Sequence, residues 1–172
     1  VEELIAAQSG PGKACIAHHN SAEQIVIPGD AGAAPAAGDA CAATAAPVGP
    51  LPGRGARHSD LLRGAVDDFA AAVPAAVVAA PSCSVVFHVT AGTQPDPAAI
   101  RELMVRQLVS PVRWFDTMHF LIDQGVDTFV EVGPKTVLKG LLRRIHPDRK
   151  SATMASVESV KNLTAFVEKC KS

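Results

Sequence analysis

The sequence is poor in several features on which whole classes of function depend. It has no tyrosine, and aromatic residues make up only 4% of its 172 residues, which argues against recognition of nucleic acid by base stacking. Its formal net charge of −1 provides no basic field for nucleic acid or an anionic membrane surface. No apolar run approaches the roughly 20 residues that a membrane-spanning helix needs. We therefore expect neither a nucleic-acid-binding protein nor a membrane protein.

The four cysteines are scattered along the chain and form no C-x-x-C pair: Cys15, Cys41, Cys83 and Cys170. This pattern predicts free thiols in a reducing cytoplasm rather than a disulfide framework. The first residues, "VEELIAAQSG", are acidic and too short to resemble a secretory signal. Because the chain does not begin with methionine, we expect that it starts inside a larger protein.

Stretches with strand and helix patterns alternate along most of the chain. Apolar runs predict buried strands in "QIVIPG" (24–29), "SVVFHVT" (84–90) and "DTFVEV" (127–132). Apolar residues at helical spacing predict helices that begin at Ser59, Asp96-Pro97 and Ser110-Pro111, with Gly125 ending the third, and further helices over 137–145 and 160–170. This alternation predicts an α/β domain with a largely parallel sheet.

One stretch, residues 30–57, is rich in alanine, glycine and proline and has almost no large apolar side chain. Proline and glycine disfavour a helix, and small side chains bury little apolar surface to anchor one. We therefore expect a flexible or poorly packed connection there.

A candidate catalytic base is His58, in "GARHSDLL" (55–62). It directly precedes the helix that Ser59 is expected to cap, and the positive end of a helix dipole favours the neutral imidazole that a general base needs. The alternative is a surface histidine in a loop. No serine has glycine at both flanking positions of a G-x-S-x-G elbow, so the nucleophile for such a base is missing from these residues.

A metal site is a weaker interpretation of the same part of the sequence. The candidate ligands are Cys15, His18, His19, His58 and His88. Only Cys15 and His18 have the close spacing that is typical of zinc ligands, and one such pair is common by chance. We therefore predict no metal. The basic stretch "LLRRIHPDRK" (141–150) is interpreted as a solvated helix end, or as a surface for an acidic partner.

Four segments, in this order, resemble malonyl-CoA:acyl-carrier-protein transacylases. They are "HNSAEQIVIPG", "LPGRGARHSDLL", "AIRELMVRQLVSPVRW" and "GVDTFVEVGPKTVLKGLLRRI". The resemblance covers nearly the whole chain but only the C-terminal portion of the family's catalytic unit. Three features of that family are absent: the G-Q-G-x-Q motif, the G-H-S-x-G elbow and the arginine that holds the malonyl carboxylate.

The resemblance implies a partial α/β-hydrolase-like acyltransferase domain with the remnant of a ferredoxin-like small subdomain. Residues 1–29 would belong to the small subdomain, 30–57 would form the connection, and 58–172 would complete the large subdomain. It also implies an S-malonyltransferase of fatty acid biosynthesis, with malonyl-CoA as substrate, acyl carrier protein as partner and no permanently bound cofactor. His58 would be the general base, the Gln107 backbone carbonyl would orient it, and Asn20 would bind substrate.

Several departures from the family pattern leave alternatives open. Arg54 and Arg57 replace small or apolar residues beside the histidine, and His88 stands where asparagine is usual. We expect the chain alone to be inactive, because it lacks the serine elbow. It is then either a truncated non-enzymatic remnant, or a half-domain that complements a separate N-terminal half. A third alternative is the acyltransferase portion of a polyketide synthase.

Overall fold

The computed structural model describes residues 1–7, 12–51, 56–146 and 153–171. The chain divides into two compact units, Val1–Thr117 and Met118–Ser172. No helix in the described ranges is both long and apolar enough to cross a membrane.

The first unit contains short helices and two antiparallel strand pairs. Its elements are α1 (Glu2–Ala6), β1 (His18–Ser21), β2 (Gln24–Val26), α2 (Ala33–Ala42), a 3₁₀ helix (Asp60–Ala65), α3 (Val66–Ala72), a second 3₁₀ helix (Val73–Ala75), β3 (Val86–Phe87), β4 (Gly92–Thr93), α4 (Pro97–Arg106) and the start of α5 (Trp114–Asp123). The pairs are β1 with β2 and β3 with β4. The strand expected in 24–29 is therefore present, but it is short and only partly buried.

The expectation of a helix-free connection over residues 30–57 is wrong for residues 33–42, which form α2. Ala33, Ala37 and Cys41 are buried along one side of this helix, at the spacing of four that puts residues on one helical face. Pro35 lies in the first turn, where the missing N–H would have no partner within the helix. A helix face made of small side chains is thus sufficient for packing, although such side chains give only a weak helical periodicity of hydrophobicity in the sequence.

Helix α4 agrees with its sequence pattern at its start and on its buried face. The Asp96 carboxylate accepts a hydrogen bond from the Ala99 N–H at 2.8 Å, and Pro97 occupies the first turn. Ile100 and Leu103 are buried, and the helix packs against α3 and the second 3₁₀ helix. The helix ends at Arg106, so Gln107 directly follows it.

Two other sequence-based expectations in this unit are wrong. The run 84–90 forms only the two-residue strand β3, and His88 lies in the turn that follows. Helix α5 begins at Trp114 rather than near Ser110-Pro111. Val112 is held in extended pairing with β1, because its N–H donates to Ala17 at 2.7 Å and its carbonyl accepts from His19 at 2.9 Å. The pairing of Val112 with β1 therefore shifts the first residue of α5 to Trp114.

The second unit contains the end of α5 followed by β5 (Thr128–Val132), α6 (Val137–Ile145), β6 (Thr153–Val157) and α7 (Val160–Lys171). Strands β5 and β6 are parallel, in register from Thr128 opposite Thr153 to Val132 opposite Val157. The Glu131 carboxylate caps α6 by accepting the N–H groups of Leu138 and Lys139, both at 2.9 Å. Gly125 ends α5 with φ +84, as its position in the sequence predicts.

The described residues form mixed helices and strands, as expected of an α/β protein, but the sheets are smaller than predicted. They are three two-stranded sheets, and β5–β6 is the parallel one. The expectation of a largely parallel sheet is therefore wrong for residues 1–117, where the strand pairs are hairpins with short connections. Antiparallel pairs need only a tight turn, whereas parallel pairs need a crossover such as α6.

Candidate active site

His58 is oriented by a backbone carbonyl on a distant part of the chain. Its Nδ1 lies 2.9 Å from the carbonyl oxygen of Gln107, which is 49 residues away in sequence. A carbonyl oxygen only accepts, so Nδ1 of this imidazole carries a hydrogen, and in the neutral ring Nε2 is the nitrogen with a lone pair. The backbone of His58 is left-handed, with φ 60. Such a conformation is costly for a residue with a side chain and occurs often at functional sites.

The side chain of Ser59 stabilises the loop that carries His58. Ser59 is buried, and its hydroxyl donates to the carbonyl of Ala56. The expectation that this hydroxyl caps the following helix is wrong, because Ser59 makes no side-chain cap bond and a 3₁₀ helix follows it. The hydroxyl instead closes the turn just before His58. With its proton committed to Ala56, Ser59 is a poor candidate for the nucleophile.

Two further imidazoles flank the His58 ring. His18, on β1, lies with its ring centroid 5.2 Å from that of His58, at an angle of 79° between the planes. His88, just after β3, lies 5.4 Å away at 89°. Arg113 fixes the turn that carries His88, because its N–H donates to the His88 carbonyl and its guanidinium to the Thr90 carbonyl, both at 3.3 Å. We call His18, His58 and His88 the histidine cluster.

The environment of His18 and His88 favours their neutral form. Burial, followed by the neighbouring His58 and Arg57, lowers the pKa of His18. Burial, followed by His58 and then His18, lowers the pKa of His88. The buried Nδ1 of His18 and Nε2 of His88 have no hydrogen-bond partner in the described part of the chain, which removes a source of stabilisation for the charged form. His18 and His88 therefore stay neutral at physiological pH.

The other candidate residues lie apart from this contact. Asn20 is on β1, partly buried, and no hydrogen bond within the described residues joins it to His58 or Gln107. His19 stacks on Phe115 with a centroid distance of 4.9 Å rather than on the cluster. Arg57 is exposed, and Arg54 lies outside the described residues. Among residues 1–7, 12–51, 56–146 and 153–171, no three His, Cys, Asp or Glu side chains are grouped to hold a metal ion.

Cys15 is the thiol beside this site, and it lacks the properties of an activated nucleophile. Burial raises its pKa above the ordinary thiol value, although the Asp60 backbone and the Ser59 hydroxyl act in the opposite direction. The reactive form of cysteine is the thiolate, which a raised pKa suppresses at neutral pH. The described neighbours of His58 therefore include no activated nucleophile.

Sequence reasoning missed the role of His18 in the cluster. The sequence indicates His18 only as a possible metal ligand, through its spacing from Cys15. Its contact with His58 depends on β1 lying beside the loop at residue 58. No periodicity along the chain encodes this approach.

The neutral state of His18 and His88 makes unfolding dependent on pH. Because their pKa values are lower in the folded chain than the ordinary value of about 6.5, the unfolded state binds more protons as the pH falls. We expect full stability above about pH 6.5 and a progressive loss below it, as the pH approaches the lowered folded values. Urea unfolding at several pH values measures this slope.

The matched variant for this prediction is the double substitution His18→Asn and His88→Asn. It removes both titrating groups, so we expect it to flatten the pH dependence over the same range. A slope equal to that of the unsubstituted chain would contradict the prediction. The substitution Val77→Ala, at a position that is 98% exposed, is the control and should leave the slope as it is.

Comparison with known proteins reveals a specific group of relatives. No protein-family profile matches the chain. It is 41% identical over 127 residues to a malonyl CoA-acyl carrier protein transacylase of Salmonella typhimurium, a match that covers 73% of this chain and 41% of that protein. A Staphylococcus aureus protein of the same name is 38% identical over 114 residues, covering 66% of this chain and 37% of its own length.

Solved structures agree with these sequence matches. One is a malonyl-transacylase in complex with a type II polyketide-synthase acyl-carrier protein, with a TM-score of 0.90, 32% identity and coverage of 98% of this chain and 54% of that chain. Another, from Streptococcus pneumoniae, has a TM-score of 0.88 and 29% identity, with coverage of 98% and 54%. The chain therefore spans about half the length of the solved structures and about two fifths of the curated relatives it matches.

The curated relatives and the solved structures that match the chain belong to one class of protein, the acyl-group transferases. Within that class, the chain is homologous to the malonyl CoA-acyl carrier protein transacylases, and the resemblance seen in its motifs is confirmed.

Proposed function

We propose that this chain supplies the histidine half of a malonyltransferase active site, in which His58 is the general base. The observation that carries the proposal is the 2.9 Å contact between His58 Nδ1 and the Gln107 carbonyl. That contact leaves Nε2 as the atom that accepts a proton. The homologues are malonyltransferases, so this base fits the reaction that their names describe.

The chemistry of the base follows from its hydrogen bond. A serine O–H would pass its proton to Nε2 as the oxygen attacks the malonyl thioester carbonyl. The resulting imidazolium would return the proton to the departing coenzyme A sulfur. Gln107 provides a neutral carbonyl where many hydrolases use a carboxylate. The carbonyl therefore fixes the tautomer of the His58 ring. Because it has no net charge, it stabilises an imidazolium less strongly than a carboxylate does.

The nucleophile and the donors for the oxyanion would lie outside these 172 residues, since no G-x-S-x-G elbow occurs among them. In the second half-reaction, the acyl group would pass to the phosphopantetheine thiol of acyl carrier protein. Malonyl-CoA is then a substrate and no resident cofactor is required. Asn20, on β1, is proposed as a substrate-binding residue.

We assign the described elements to the subdomains of an acyltransferase as follows. Residues 1–29 belong to a ferredoxin-like small subdomain, and 30–57 connect it to the rest. Residues 58–172 complete a larger α/β-hydrolase-like subdomain. A cytoplasmic location is proposed with this activity, and the free thiols of Cys15, Cys41 and Cys83 suit a reducing compartment.

Two alternatives differ from this proposal, one in having no activity and the other in its acyl selectivity. A non-enzymatic remnant would retain the fold without any partner that supplies the serine. The acyltransferase portion of a polyketide synthase would use the same base with a different acyl selectivity. The structural similarity to a transacylase bound to a polyketide-synthase carrier protein favours retaining this second alternative.

The proposal is tested first on the chain alone. Incubation with malonyl-CoA followed by intact-mass measurement should detect no malonyl adduct, because His58 has no serine to activate. Mixing the chain with the N-terminal part of the Salmonella typhimurium transacylase, ending before the stretch that matches this chain, should restore the adduct on that added part. A stable malonyl ester on the isolated chain would contradict the proposed division of roles. Failure of the mixture to transfer malonyl would favour the non-enzymatic remnant.

A further inference from the structure

A single hydrogen bond does not fix the direction of the His58 ring. Its Nδ1 lies 2.9 Å from the carbonyl oxygen of Gln107, but such an oxygen accepts a hydrogen over a broad range of angles. The χ2 torsion of a histidine is also broadly distributed rather than confined to narrow wells. If the ring turned about its Cβ–Cγ bond, the bond to Gln107 would lengthen, and either nitrogen of the neutral ring could then carry the hydrogen. Further contacts are therefore needed to give Nε2 one direction.

The histidine cluster provides two such contacts. The ring centroid of His18 lies 5.2 Å from that of His58, with 79° between the planes, and that of His88 lies 5.4 Å away at 89°. Both distances fall in the range of roughly 4.5–7 Å that is typical of aromatic pairs, for which an edge-to-face arrangement is favoured. A turn of the His58 ring about its Cβ–Cγ bond would disturb both contacts. The two neighbouring rings therefore resist that turn.

The backbones at His18 and His88 are both held by one short segment, residues 112 and 113. The Val112 backbone bonds to the residues on either side of His18, at 2.7 and 2.9 Å. Arg113 donates its N–H to the His88 carbonyl at 3.3 Å, and its guanidinium donates to the Thr90 carbonyl in the same turn. The segment thus joins the strand that carries His18 to the turn that carries His88, so these two backbones are fixed relative to each other.

The stability of the fold does not account for two imidazoles at these positions. The buried Nδ1 of His18 and Nε2 of His88 have no hydrogen-bond partner among the described residues, and a buried polar atom without a partner destabilises a protein. Burial is also the main cause that lowers the pKa of each ring. The rings are consequently neutral, and neutral rings pack against His58 without like-charge repulsion. Both features suit rings that act on His58 by packing, rather than through charge or a hydrogen bond.

We propose that His18 and His88 are positioning residues for the base. Their rings hold the His58 imidazole in one orientation, and hence in the one tautomer in which Nε2 accepts the serine proton. This inference rests on the proposed function, because it assigns two further residues to the site in which His58 is proposed to act. Neither ring has to touch the substrate for this role. A misdirected base slows the chemical step and leaves substrate binding unchanged.

The first measurement uses the 172-residue chain alone, at about pH 8, where an ordinary histidine is neutral. The nitrogen NMR signals of the His58 ring, identified by their loss in His58→Ala, report which nitrogen carries the hydrogen. We expect hydrogen on Nδ1 alone in the unsubstituted chain, and a mixture of the two tautomers in His18→Ala and in His88→Ala. His88→Phe keeps an aromatic ring without a nitrogen, so it should keep the single tautomer.

The matched control for this measurement is His19→Ala. It removes a histidine from the same strand, β1, but one whose ring stacks on Phe115 at 4.9 Å rather than on the cluster. We expect the tautomer of His58 to stay unchanged in this variant.

The second measurement uses the complex with the same N-terminal part of the Salmonella typhimurium transacylase. We expect His18→Ala and His88→Ala each to lower kcat for malonyl transfer about tenfold, because the base is no longer held in one direction. KM for malonyl-CoA should change by less than about twofold, because neither ring binds substrate. His88→Phe should restore kcat to near the unsubstituted value.

Several outcomes overturn the inference. A single Nδ1–H tautomer in folded His18→Ala and His88→Ala chains would do so, and circular dichroism establishes that they are folded. Mixed tautomers in His88→Phe would also do so, because the nitrogen rather than the ring would then be the active feature, and this variant decides the matter if His88→Ala unfolds. A raised KM with an unchanged kcat would instead assign the two rings to substrate binding. Mixed tautomers in the alanine variants, with no malonyl transfer by the unsubstituted complex, would contradict the proposed function and leave the positioning of His58 intact.

Discussion

Replacing His58 with alanine is expected to lower kcat/KM for malonyl transfer by about 10²-fold to 10⁴-fold in the complex with the N-terminal transacylase part. The substitution removes Nε2, the atom left free by the bond from Nδ1 to the Gln107 carbonyl at 2.9 Å. The rings of His18 and His88 do not occupy its position, because their centroids lie 5.2 Å and 5.4 Å from that of His58. Transfer of malonyl to acyl carrier protein, followed by intact mass, measures the rate.

Gln107→Ala is the matched control for this prediction. The orienting group is the backbone carbonyl, which every residue has, so loss of the side chain should lower the rate far less than His58→Ala does. Complex formation by the His58→Ala chain is measured in parallel, so that a loss of binding is not taken for a loss of chemistry. A His58→Ala complex that transfers malonyl at the unsubstituted rate would rule out His58 as the base.

Replacing Leu103 with alanine is expected to destabilise the first unit by about 2–5 kcal/mol. Leu103 is only 6% exposed and lies on α4, which packs against α3 and the second 3₁₀ helix. Truncation leaves a cavity that rigid helices fill only in part. Because Gln107 directly follows α4, the same cavity should also loosen the carbonyl that orients His58.

The measurement for Leu103→Ala is urea unfolding followed by tryptophan fluorescence. Trp114 is the single tryptophan of the chain, and it lies within the first unit, so its emission reports on that unit. Val77→Ala, at a position that is 98% exposed, should change the free energy of unfolding by no more than about 0.5 kcal/mol. Equal midpoints for the two variants would mean that Leu103 is not a core residue.

The elements that the sequence predicts well are those determined by neighbouring residues. Asp96 and Pro97 start α4 because a carboxylate can reach an N–H three residues ahead and proline suits a first turn. Gly125 ends α5 because its backbone adopts a positive φ. Interactions of this kind span one helical turn, so the order of residues alone specifies them.

The errors occur where tertiary contacts outweigh local preference. Residues 33–42 form a helix because Ala33, Ala37 and Cys41 are buried, although their apolar pattern is faint. Helix α5 starts late because Val112 pairs with β1. The Ser59 hydroxyl bonds backward to Ala56 rather than capping the next helix. Each of these outcomes depends on a contact with another part of the chain or with a preceding carbonyl. Rules for helix capping and for periodicity do not take such contacts into account.

The candidate site shows the same division between sequence and tertiary structure. The sequence by itself identified His58 and, through the family resemblance, the residue whose carbonyl faces it, because both lie in distinctive motifs. It also determined that no serine elbow is present among these residues. Only the tertiary structure decided that His18 and His88 flank His58. The physical reason is that burial and ring contacts arise between residues far apart in the chain, where local periodicity carries no information.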